Sequence, residues 1–385
     1  MIPYGRQIIG ENDIDAVTAV LRSDFLTQGP AVPRFEEAVA AYCGAKHAVA
    51  VNSATSALHI ACHALGAGPG DRVWVSPNTF VATANAALYC GATVDFVDID
   101  PVSYNMSPLA LEEKLRKAAP GGTLPRIVIP TQFAGLPSDM PAIRALSAQY
   151  GFKIIEDAAH AIGAHLGDTK TGDCHYSEIT VFSFHPVKII TTGEGGLATS
   201  NDPDLARRMQ LLRSHGVTRE QSELERSNEG GWFYEQQCLG FNYRMTDIQA
   251  ALGVSQLSNI EAWIARRHEI ADIYDKALSE LPLILPRRPA GSRSALHLYV
   301  VQLDRDRTPL DRKTAFERLR EMRIGVNVHY IPVHTQPYYR NLGFASGTLP
   351  NAERYYSRCL SLPMHAGLTN SQQSQVIDAV KKICE

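Results

Sequence analysis

From residue 45 to residue 200, short runs rich in valine and isoleucine alternate with segments whose apolar residues recur at helical spacing. Such strand–helix–strand repetition is typical of a mostly parallel sheet with helices on both faces. Ligands bind these sheets outside the carboxyl ends of the strands, where several of the runs end in Asn, Asp, Ser or Pro. The predicted strands are residues 47–53, 71–77, 93–100, 126–133, 152–160, 179–185 and 195–200, and the clearest helices are residues 55–65 and 140–151.

The length of 385 residues favours two unequal domains, because it exceeds what one core usually holds. Residues 246–281 have the pattern of one long helix or a pair of helices, with Thr246 or Asp247 as the N-cap. The polar segment 218–237 is predicted to be a long surface loop. We expect an N-terminal arm, a large α/β domain and a small α+β domain at residues 1–14, 15–255 and 256–385.

The composition is typical of a soluble globular enzyme, with 45% hydrophobic and 20% charged residues. The net charge of −3 includes no block of like charge, so nucleic acid and anionic membranes are not expected as partners. The chain start lacks a signal-peptide pattern and no apolar run approaches the roughly 20 residues of a membrane helix, so a cytoplasmic protein is expected. The cysteines, odd in number and without a CxxC pair, predict neither disulfides nor a metal site, and they are Cys43, Cys62, Cys90, Cys174, Cys238, Cys359 and Cys384.

One lysine, Lys188, stands between the bulky run FSFHPV and the glycine-rich turn TTGEGG. It is either an ordinary solvated lysine, as most lysines are, or a buried amine ready to condense with an aldehyde. Desolvation lowers the pKa of a lysine and makes it a nucleophile near neutral pH. The glycine turn leads back into a strand, which would bring Lys188 to the edge of the sheet.

A carboxylate, Asp157, ends the apolar strand FKIIED at the same edge of the sheet. A buried carboxylate needs a cationic partner, and the protonated ring nitrogen of pyridoxal phosphate (PLP) is such a partner. The alternative is a helix cap for the segment AAHAIGAHLG, and the residue alone leaves the two interpretations even.

Other residues at predicted strand ends fit the same cofactor. The stretch VNSATSALH, residues 51–59, places hydroxyls and free backbone N–H groups at a helix start, which is either an anion site or a plain N-cap. Phe80 either covers a flat ring or packs in the core. His160 and His185 either donate to cofactor or substrate or are satisfied within the core. Taken together, these residues supply each contact that PLP needs.

The segments EDAAHAIGA, SFHPVKIITTGEGG and GFNYRMTDIQAALG resemble the DegT/DnrJ/EryC1/StrS family of sugar aminotransferases, and the resemblance covers essentially the whole chain. It implies the aspartate-aminotransferase-like fold of type I PLP enzymes. Lys188 is then the lysine that bonds to PLP and moves the proton, and Asp157 pairs with the pyridinium nitrogen. His160 contacts the 3-hydroxyl side and Phe80 lies over the ring. The PLP phosphate is held at Ala54, Thr55 and Ser183. Asn242 matches a residue that reaches the phosphate of the neighbouring subunit, which implies a homodimer with shared active sites.

Within the family, the segments PYGRQ, FLTQGP, NSATSALH, SFHPVK and VHYIPVHTQPYY resemble the branch that serves pseudaminic acid biosynthesis. This implies amino transfer from L-glutamate to C4 of a UDP-linked 4-keto-6-deoxy-N-acetyl sugar. Asp24 stands where some relatives have a lysine, which puts a charge contact to the nucleotide diphosphate there in doubt, and Arg6 or Arg244 could supply it instead. The substrate-contacting residues implied are Tyr4, Asp24, Phe25, Leu26, Thr27, Ser56, His185, Asn242, Asn327, Val328, His329 and Tyr330.

Three other functions stay open at this point. One is amination of another nucleotide sugar, linked to GDP or dTDP, or of the D-xylo UDP epimer. A second is a PLP-dependent sugar dehydratase or epimerase. Lys188 and the absence of an iron–sulfur cysteine cluster disfavour it, since the dehydratases that this family includes carry histidine in place of the lysine. The third is a protein that binds PLP or a nucleotide sugar without turnover, against which the Lys188 and Asp157 pair argues.

Overall fold

The computed structural model describes residues 1–226 and 229–385. Its α-helices are α1 (Glu11–Leu21), α2 (Ala31–Cys43), α3 (Ala54–Ala64), α4 (Val81–Tyr89), α5 (Pro108–Ala118), α6 (Met140–Tyr150), α7 (Pro203–Arg213), α8 (Asp247–Leu257), α9 (Ile260–Leu278), α10 (Arg312–Glu321), α11 (Pro337–Asn341), α12 (Pro350–Arg358) and α13 (Asn370–Cys384). Its β-strands are β1 (His47–Val51), β2 (Arg72–Val75), β3 (Thr93–Phe96), β4 (Ile127–Ile129), β5 (Lys153–Asp157), β6 (His165–Leu166), β7 (Thr169–Lys170), β8 (Ile179–Ser183), β9 (Gly196–Ser200), β10 (Val217–Thr218), β11 (Glu235–Gln236), β12 (Leu283–Ile284), β13 (Ser292–Arg293), β14 (Tyr299–Leu303) and β15 (Cys359–Leu362).

The main sheet has the strand order β1-β9-β8-β5-β4-β2-β3. Strand β9 runs antiparallel to both of its neighbours, whereas the other neighbouring pairs are parallel. Helices α3, α4, α5 and α6 provide the crossovers that parallel strands need. All the predicted strands of this sheet are confirmed, and the two predicted helices correspond to α3 and α6.

The strands of the main sheet are buried on both faces, because consecutive side chains point to opposite sides. In β2, Val73 and Val75 pack with α3, α4 and α7, while Trp74 between them packs with α5 and α6. Each large aliphatic side chain buried in this way contributes about 1.5–3 kcal/mol. The polar residues at the carboxyl ends therefore stand on closely packed strands.

The predicted helical segment 246–281 is a pair of helices, α8 and α9. Thr246 caps α8 in a reciprocal arrangement with Gln249, as the sequence predicts. Asp247 is buried and instead accepts hydrogen bonds from two backbone N–H groups in the connection before α2 and at its start, at 2.8 and 2.7 Å. These bonds hold the start of α8 against the start of α2.

Strands β12, β14 and β15 form a second, antiparallel sheet that packs with α9, α10 and α13. The N-terminal arm lies beside this part, since Ile2 bridges to Ile324 and the N–H of Met364 donates to the carbonyl of Tyr4 (2.9 Å). A large, mostly parallel sheet with smaller antiparallel sheets confirms the predicted fold class. The predicted domain boundary at residues 255–256 falls inside α8 and stays a prediction.

The predicted surface loop at residues 218–237 contains a 3-10 turn, and β11 near its end pairs with β10 at its start. Residues 227–228 of that prediction lie outside the described residues. In the described part of the chain, no helix combines the length and apolar character needed to cross a membrane.

Candidate active site

A cavity of about 560 Å³ opens at the carboxyl ends of the parallel strands. This volume lies within the range of about 300–1,000 Å³ that small-molecule sites occupy. Residues that end or follow β1, β2, β4, β5 and β8 form much of its wall, because these strands stop at one edge of the sheet. The N-terminal arm and residues 327–330 close the other side.

Asp157 is a buried carboxylate at the last position of β5. The hydroxyl of Thr83 donates to its Oδ2 (2.6 Å), and the backbone N–H of Ala159 donates to its Oδ1 (3.1 Å). Burial raises the pKa of Asp157, while these hydrogen bonds and the charge of Lys188 oppose that rise. A carboxylate fixed and oriented in this way suits a cationic ligand atom such as a pyridinium nitrogen.

Lys188 stands in the connection between β8 and β9, at the wall of the cavity. Its backbone N–H donates to the carbonyl of His185 (2.9 Å), and the N–H of Thr192 donates to the carbonyl of Phe184 (3.0 Å), which makes the connection a tight turn. Burial lowers the pKa of Lys188 to about 8, and the charge of Asp157 acts in the opposite direction. The surroundings therefore favour a reactive amine over a solvated lysine.

The lowered pKa of Lys188 provides a test of whether this lysine captures PLP. Because the neutral amine is the nucleophile, the capture rate should rise about tenfold per pH unit at low pH. It should level off once the pH passes about 8. Stopped-flow absorbance of the lysine-bound cofactor measures this rate after apoprotein and PLP are mixed. A rate that keeps rising towards the ordinary lysine pKa of about 10.4 would contradict the prediction.

His160 is held as a neutral donor at the back of the cavity. The backbone N–H of Ala134 donates to its Nδ1 (3.2 Å), so the ring proton is assigned to Nε2, which donates to the hydroxyl oxygen of Tyr330 (3.0 Å). Burial lowers the pKa of His160, and the charge of Lys188 adds to this effect. The hydroxyl proton of Tyr330 consequently remains free to donate to a ligand oxygen.

The start of α3 forms another end of the cavity. Ala54 and Thr55 line it from the first positions of the helix, and Ser183 lines it from the end of β8. A Cβ on Gly196 would lie 2.4 Å from the backbone nitrogen of Ala54, so glycine allows β9 to approach the helix this closely. Free N–H groups in the first helical turn and the positive end of the helix dipole make this place suitable for a phosphate.

Phe80, the N-cap residue of α4, lines the cavity although 61% of its surface is exposed. It is therefore not a core residue, which was the alternative from the sequence. A large apolar ring at the rim of a cavity becomes covered when a flat ligand stacks on it. Its position suits a planar cofactor ring.

One cavity contains most of the residues that the sequence predicts for cofactor and substrate. These residues come from distant parts of the chain, and the fold brings them together at the edge of the main sheet. The predicted residues that line it are Tyr4, Ala54, Thr55, Phe80, Asp157, His160, Ser183, His185, Lys188, Asn327, Val328, His329 and Tyr330.

The other predicted residues lie outside the cavity of this chain. The hydroxyl of Ser56 is turned inwards and donates to Oδ1 of Asn52 (2.6 Å). Asn242 is exposed. Residues 24–27 are exposed in the connection between α1 and α2, and Asp24 lines a separate groove there.

Several lining residues were not predicted from the sequence. Two of them, Thr79 and Thr83, contact the Asp157 carboxylate and hydrogen-bond each other (2.8 Å). A third, Thr131, follows β4 and bridges to Asp157 through the backbone. The i, i+4 spacing of these two threonines around a helix start was the one available signal. His297, whose ring centroid lies 4.4 Å from that of His160, comes from the C-terminal part and gave no local signal.

The fold and the site define a PLP-dependent enzyme with the aspartate-aminotransferase-like architecture. Residues 7–381 match the DegT/DnrJ/EryC1/StrS aminotransferase family, and the chain belongs to this family. Its members depend on PLP, so the protein is a PLP-dependent sugar aminotransferase, as the sequence predicts.

Similar proteins match along the full chain. The spore coat polysaccharide biosynthesis protein SpsC of Bacillus subtilis (strain 168) is 40% identical over 385 residues, which is 99% of this chain and 97% of that protein. Helicobacter pylori PseC, an aminotransferase involved in the biosynthesis of pseudoaminic acid, is 31% identical with a TM-score of 0.91, covering 100% of this chain and 99% of that chain. The PLP form of the putative sugar aminotransferase Spr1654 from Streptococcus pneumoniae is 28% identical with a TM-score of 0.88, covering 100% and 98%.

Proposed function

We propose that the protein transfers the amino group of L-glutamate to C4 of UDP-2-acetamido-2,6-dideoxy-β-L-arabino-hex-4-ulose. The products are UDP-4-amino-4,6-dideoxy-N-acetyl-β-L-altrosamine and 2-oxoglutarate, and the reaction serves pseudaminic acid biosynthesis. The observation that carries this proposal is the full-length similarity to PseC. It is joined to a cavity that both Lys188 and Asp157 line, close enough for the charge of Lys188 to act on Asp157.

The residues of the cavity fit PLP in one orientation. Asp157 would hold the ring nitrogen protonated, and Lys188 would bond to the aldehyde carbon. The His160–Tyr330 pair would donate to the 3-hydroxyl side, and Phe80 would cover the ring. The phosphate would lie against the start of α3, at Ala54, Thr55 and Ser183.

Bound PLP supplies an electron sink, which stabilises negative charge at the carbon next to the amine. The protein contributes the proton transfers. Lys188, with a pKa near 8, takes the proton from the donor's α-carbon and later returns a proton to C4 of the sugar. Asp157 keeps its charge beside the ring because Thr83 and Ala159 donate to it.

The wall opposite the sheet suits an N-acetylated sugar. Asn327, His329 and Tyr330 supply amide, imidazole and hydroxyl groups, and Tyr4 adds another hydroxyl. His329 is neutral, because burial lowers its pKa to about 3, and its Nδ1 lies 2.7 Å from the hydroxyl of Ser361. Uncharged donors and acceptors of this kind bind the hydroxyl and acetamido groups of the sugar ring, and they do not select for a charged group on that ring.

The active enzyme is proposed to be a homodimer in which each subunit completes the other's site. Asn242 and residues 24–27 are exposed and lie outside this chain's own cavity. Exposed apolar side chains lie within or beside the 24–27 segment, at Leu21, Phe25, Leu26 and Val254, as an interface would require. In the dimer these residues would reach the partner's cofactor phosphate and sugar nucleotide.

Mixed dimers test the sharing of sites. Lys188→Ala and Asn242→Ala are each expected to be nearly inactive alone. When they are mixed and allowed to exchange subunits, each heterodimer regains one intact site, so activity should recover to about a quarter of wild type. Activity is measured after co-expression and after separate purification without exchange. Failure of co-expressed variants to recover would show that Asn242 acts within its own chain.

The nucleotide and sugar are tested by a panel of ketosugars. The proposal predicts the highest kcat/KM for the UDP-linked L-arabino substrate and lower values for its D-xylo epimer and for GDP- and dTDP-linked 4-keto-6-deoxy sugars. The higher identity to SpsC, at 40%, favours a different polysaccharide sugar as the second candidate. A clear preference for another ketosugar would keep the aminotransferase and replace the substrate.

A further inference from the structure

The active-site cavity contains little positive charge for a donor that carries carboxylates. Among the described residues that line it, Lys188 is the only lysine or arginine, while Asp157 and Glu194 are acids. Lys188 cannot be the lasting partner of a carboxylate, because it must be neutral when it acts as a base. A donor carboxylate bound beside Lys188 therefore needs a cation from outside this wall.

A second, very small cavity lies on the other side of Lys188. It measures about 10 Å³, close to the space of one water molecule. Arg6, Lys188 and Arg267 all line it, and no acidic residue does among those described. The lysine thus stands between the larger cavity and a place where two arginines converge.

The N-terminal arm holds Arg6 beside the lysine turn. A Cβ on Gly5 would lie 3.6 Å from Cβ of Val187, the residue before Lys188. The backbone is tied on both sides of Arg6, by the bond from Met364 to Tyr4 and by the bond from the Gln256 side chain to the carbonyl of residue 8 (2.9 Å). The Arg6 side chain is exposed and has no hydrogen bond or ion pair to another described residue.

Arg267 provides a fixed positive charge behind Arg6. It is fully buried, and its Nη1 donates to backbone carbonyls of Leu296 (3.0 Å), His297 (3.3 Å) and Met364 (3.0 Å). No carboxylate pairs with it among the described residues, and its Nε lacks a partner. Burial lowers the pKa of Arg267 to about 10, so it stays charged near neutral pH. A buried guanidinium without an acid is costly, and an anion bound nearby would offset that cost.

We propose that Arg6 pairs with the α-carboxylate of the amino donor while the donor's amino group lies in the larger cavity beside Lys188. Arg267 acts as a positioning charge that strengthens the pairing without touching the donor. Because the small cavity has room for about one water molecule, the donor stays in the larger cavity and turns only its carboxylate to Arg6. This inference rests on the proposed function, because L-glutamate is taken as the donor. Arg6 then binds the donor carboxylate and not the nucleotide diphosphate.

The two half-reactions separate donor binding from sugar binding. Arg6→Gln removes the charge, Arg6→Lys keeps it, and Arg116→Gln in α5 is the control for loss of an exposed arginine. With PLP-loaded enzyme, Arg6→Gln is expected to raise the L-glutamate concentration for half-maximal rate at least about tenfold, the usual effect of losing a charge-assisted bond. Arg6→Lys should fall between wild type and Arg6→Gln. The aminated enzyme should react with the UDP ketosugar at a rate within about twofold of wild type in all variants.

A binding measurement independent of turnover accompanies the kinetics. Succinate carries two carboxylates and no amino group, and calorimetry should find it bound more weakly by Arg6→Gln than by Arg116→Gln. The inference is overturned if Arg6→Gln matches Arg116→Gln towards L-glutamate and succinate, or if it slows only the sugar half-reaction. Failure of the proposed function looks different, since wild-type enzyme would then react with L-glutamate and leave the UDP ketosugar unchanged.

Discussion

Replacing Lys188 by alanine is expected to abolish amino transfer, with a loss of at least about 10³-fold, because the proposed covalent capture and both proposed proton transfers use this amine. The visible absorbance of lysine-bound PLP should disappear. The fold should persist, since the turn around Lys188 is held by backbone hydrogen bonds and not by the amine. Absorbance after reconstitution, thermal unfolding and the L-glutamate half-reaction are measured on one preparation.

Two variants serve as controls for the lysine. Lys188→Arg keeps a positive charge but cannot bond to PLP, so it should be as inactive as Lys188→Ala. Lys117→Ala removes an exposed lysine from α5 and should behave as wild type. An unchanged band of lysine-bound PLP in Lys188→Ala would contradict the assignment of this residue.

Replacing Asp157 by asparagine or alanine is expected to reduce turnover far more than PLP binding. Removing one partner of a buried charge pair costs about 3–5 kcal/mol, which corresponds to roughly 10²–10⁴-fold in rate when the pair acts on the reacting state. PLP should stay bound, because the proposed phosphate site and the proposed bond to Lys188 are untouched. Equilibrium dialysis of PLP and steady-state kinetics measure the two effects separately.

A graded variant extends the test of Asp157. Thr83→Val removes the 2.6 Å hydrogen bond to the carboxylate while the charge stays, so a loss of about tenfold is expected. Thr79→Val removes the longer 3.5 Å contact to the carboxylate and the 2.8 Å hydrogen bond to Thr83, and should have a smaller effect because Thr83 still donates to Asp157. Near-normal turnover in Asp157→Asn would contradict the pyridinium role.

The sheet and its reactive edge were predictable because their signals are local. Valine- and isoleucine-rich runs mark the buried strands, and residues such as Asp157 and Ser183 end those strands, so their place at the carboxyl edge follows from the direction of the chain. The two-helix segment and its Thr246 cap were also recognisable, because capping depends on residues three positions apart.

Contacts between distant segments were not predictable in the same way. Tyr330 hydrogen-bonds to His160, and His297 packs against the His160 ring. Both contacts require the C-terminal part of the chain to pack against the sheet. The Ser56 hydroxyl points inwards because it donates to the side chain of Asn52, four residues earlier. Composition alone does not reveal this hydrogen bond. Arg6 and Arg267 converge on Lys188 from the arm and from α9, and no local pattern joins them.

The proposed activity is amino transfer from L-glutamate to C4 of the UDP-linked L-arabino ketosugar. The most direct test incubates purified protein with PLP, ¹⁵N-labelled L-glutamate and this ketosugar, followed by mass and NMR analysis of the product. The expected product is a UDP-amino sugar with the label on the nitrogen at C4 and the proton couplings of the altrosamine. A ketosugar returned without label, under conditions where its D-xylo epimer or a GDP- or dTDP-linked ketosugar is aminated, would contradict it.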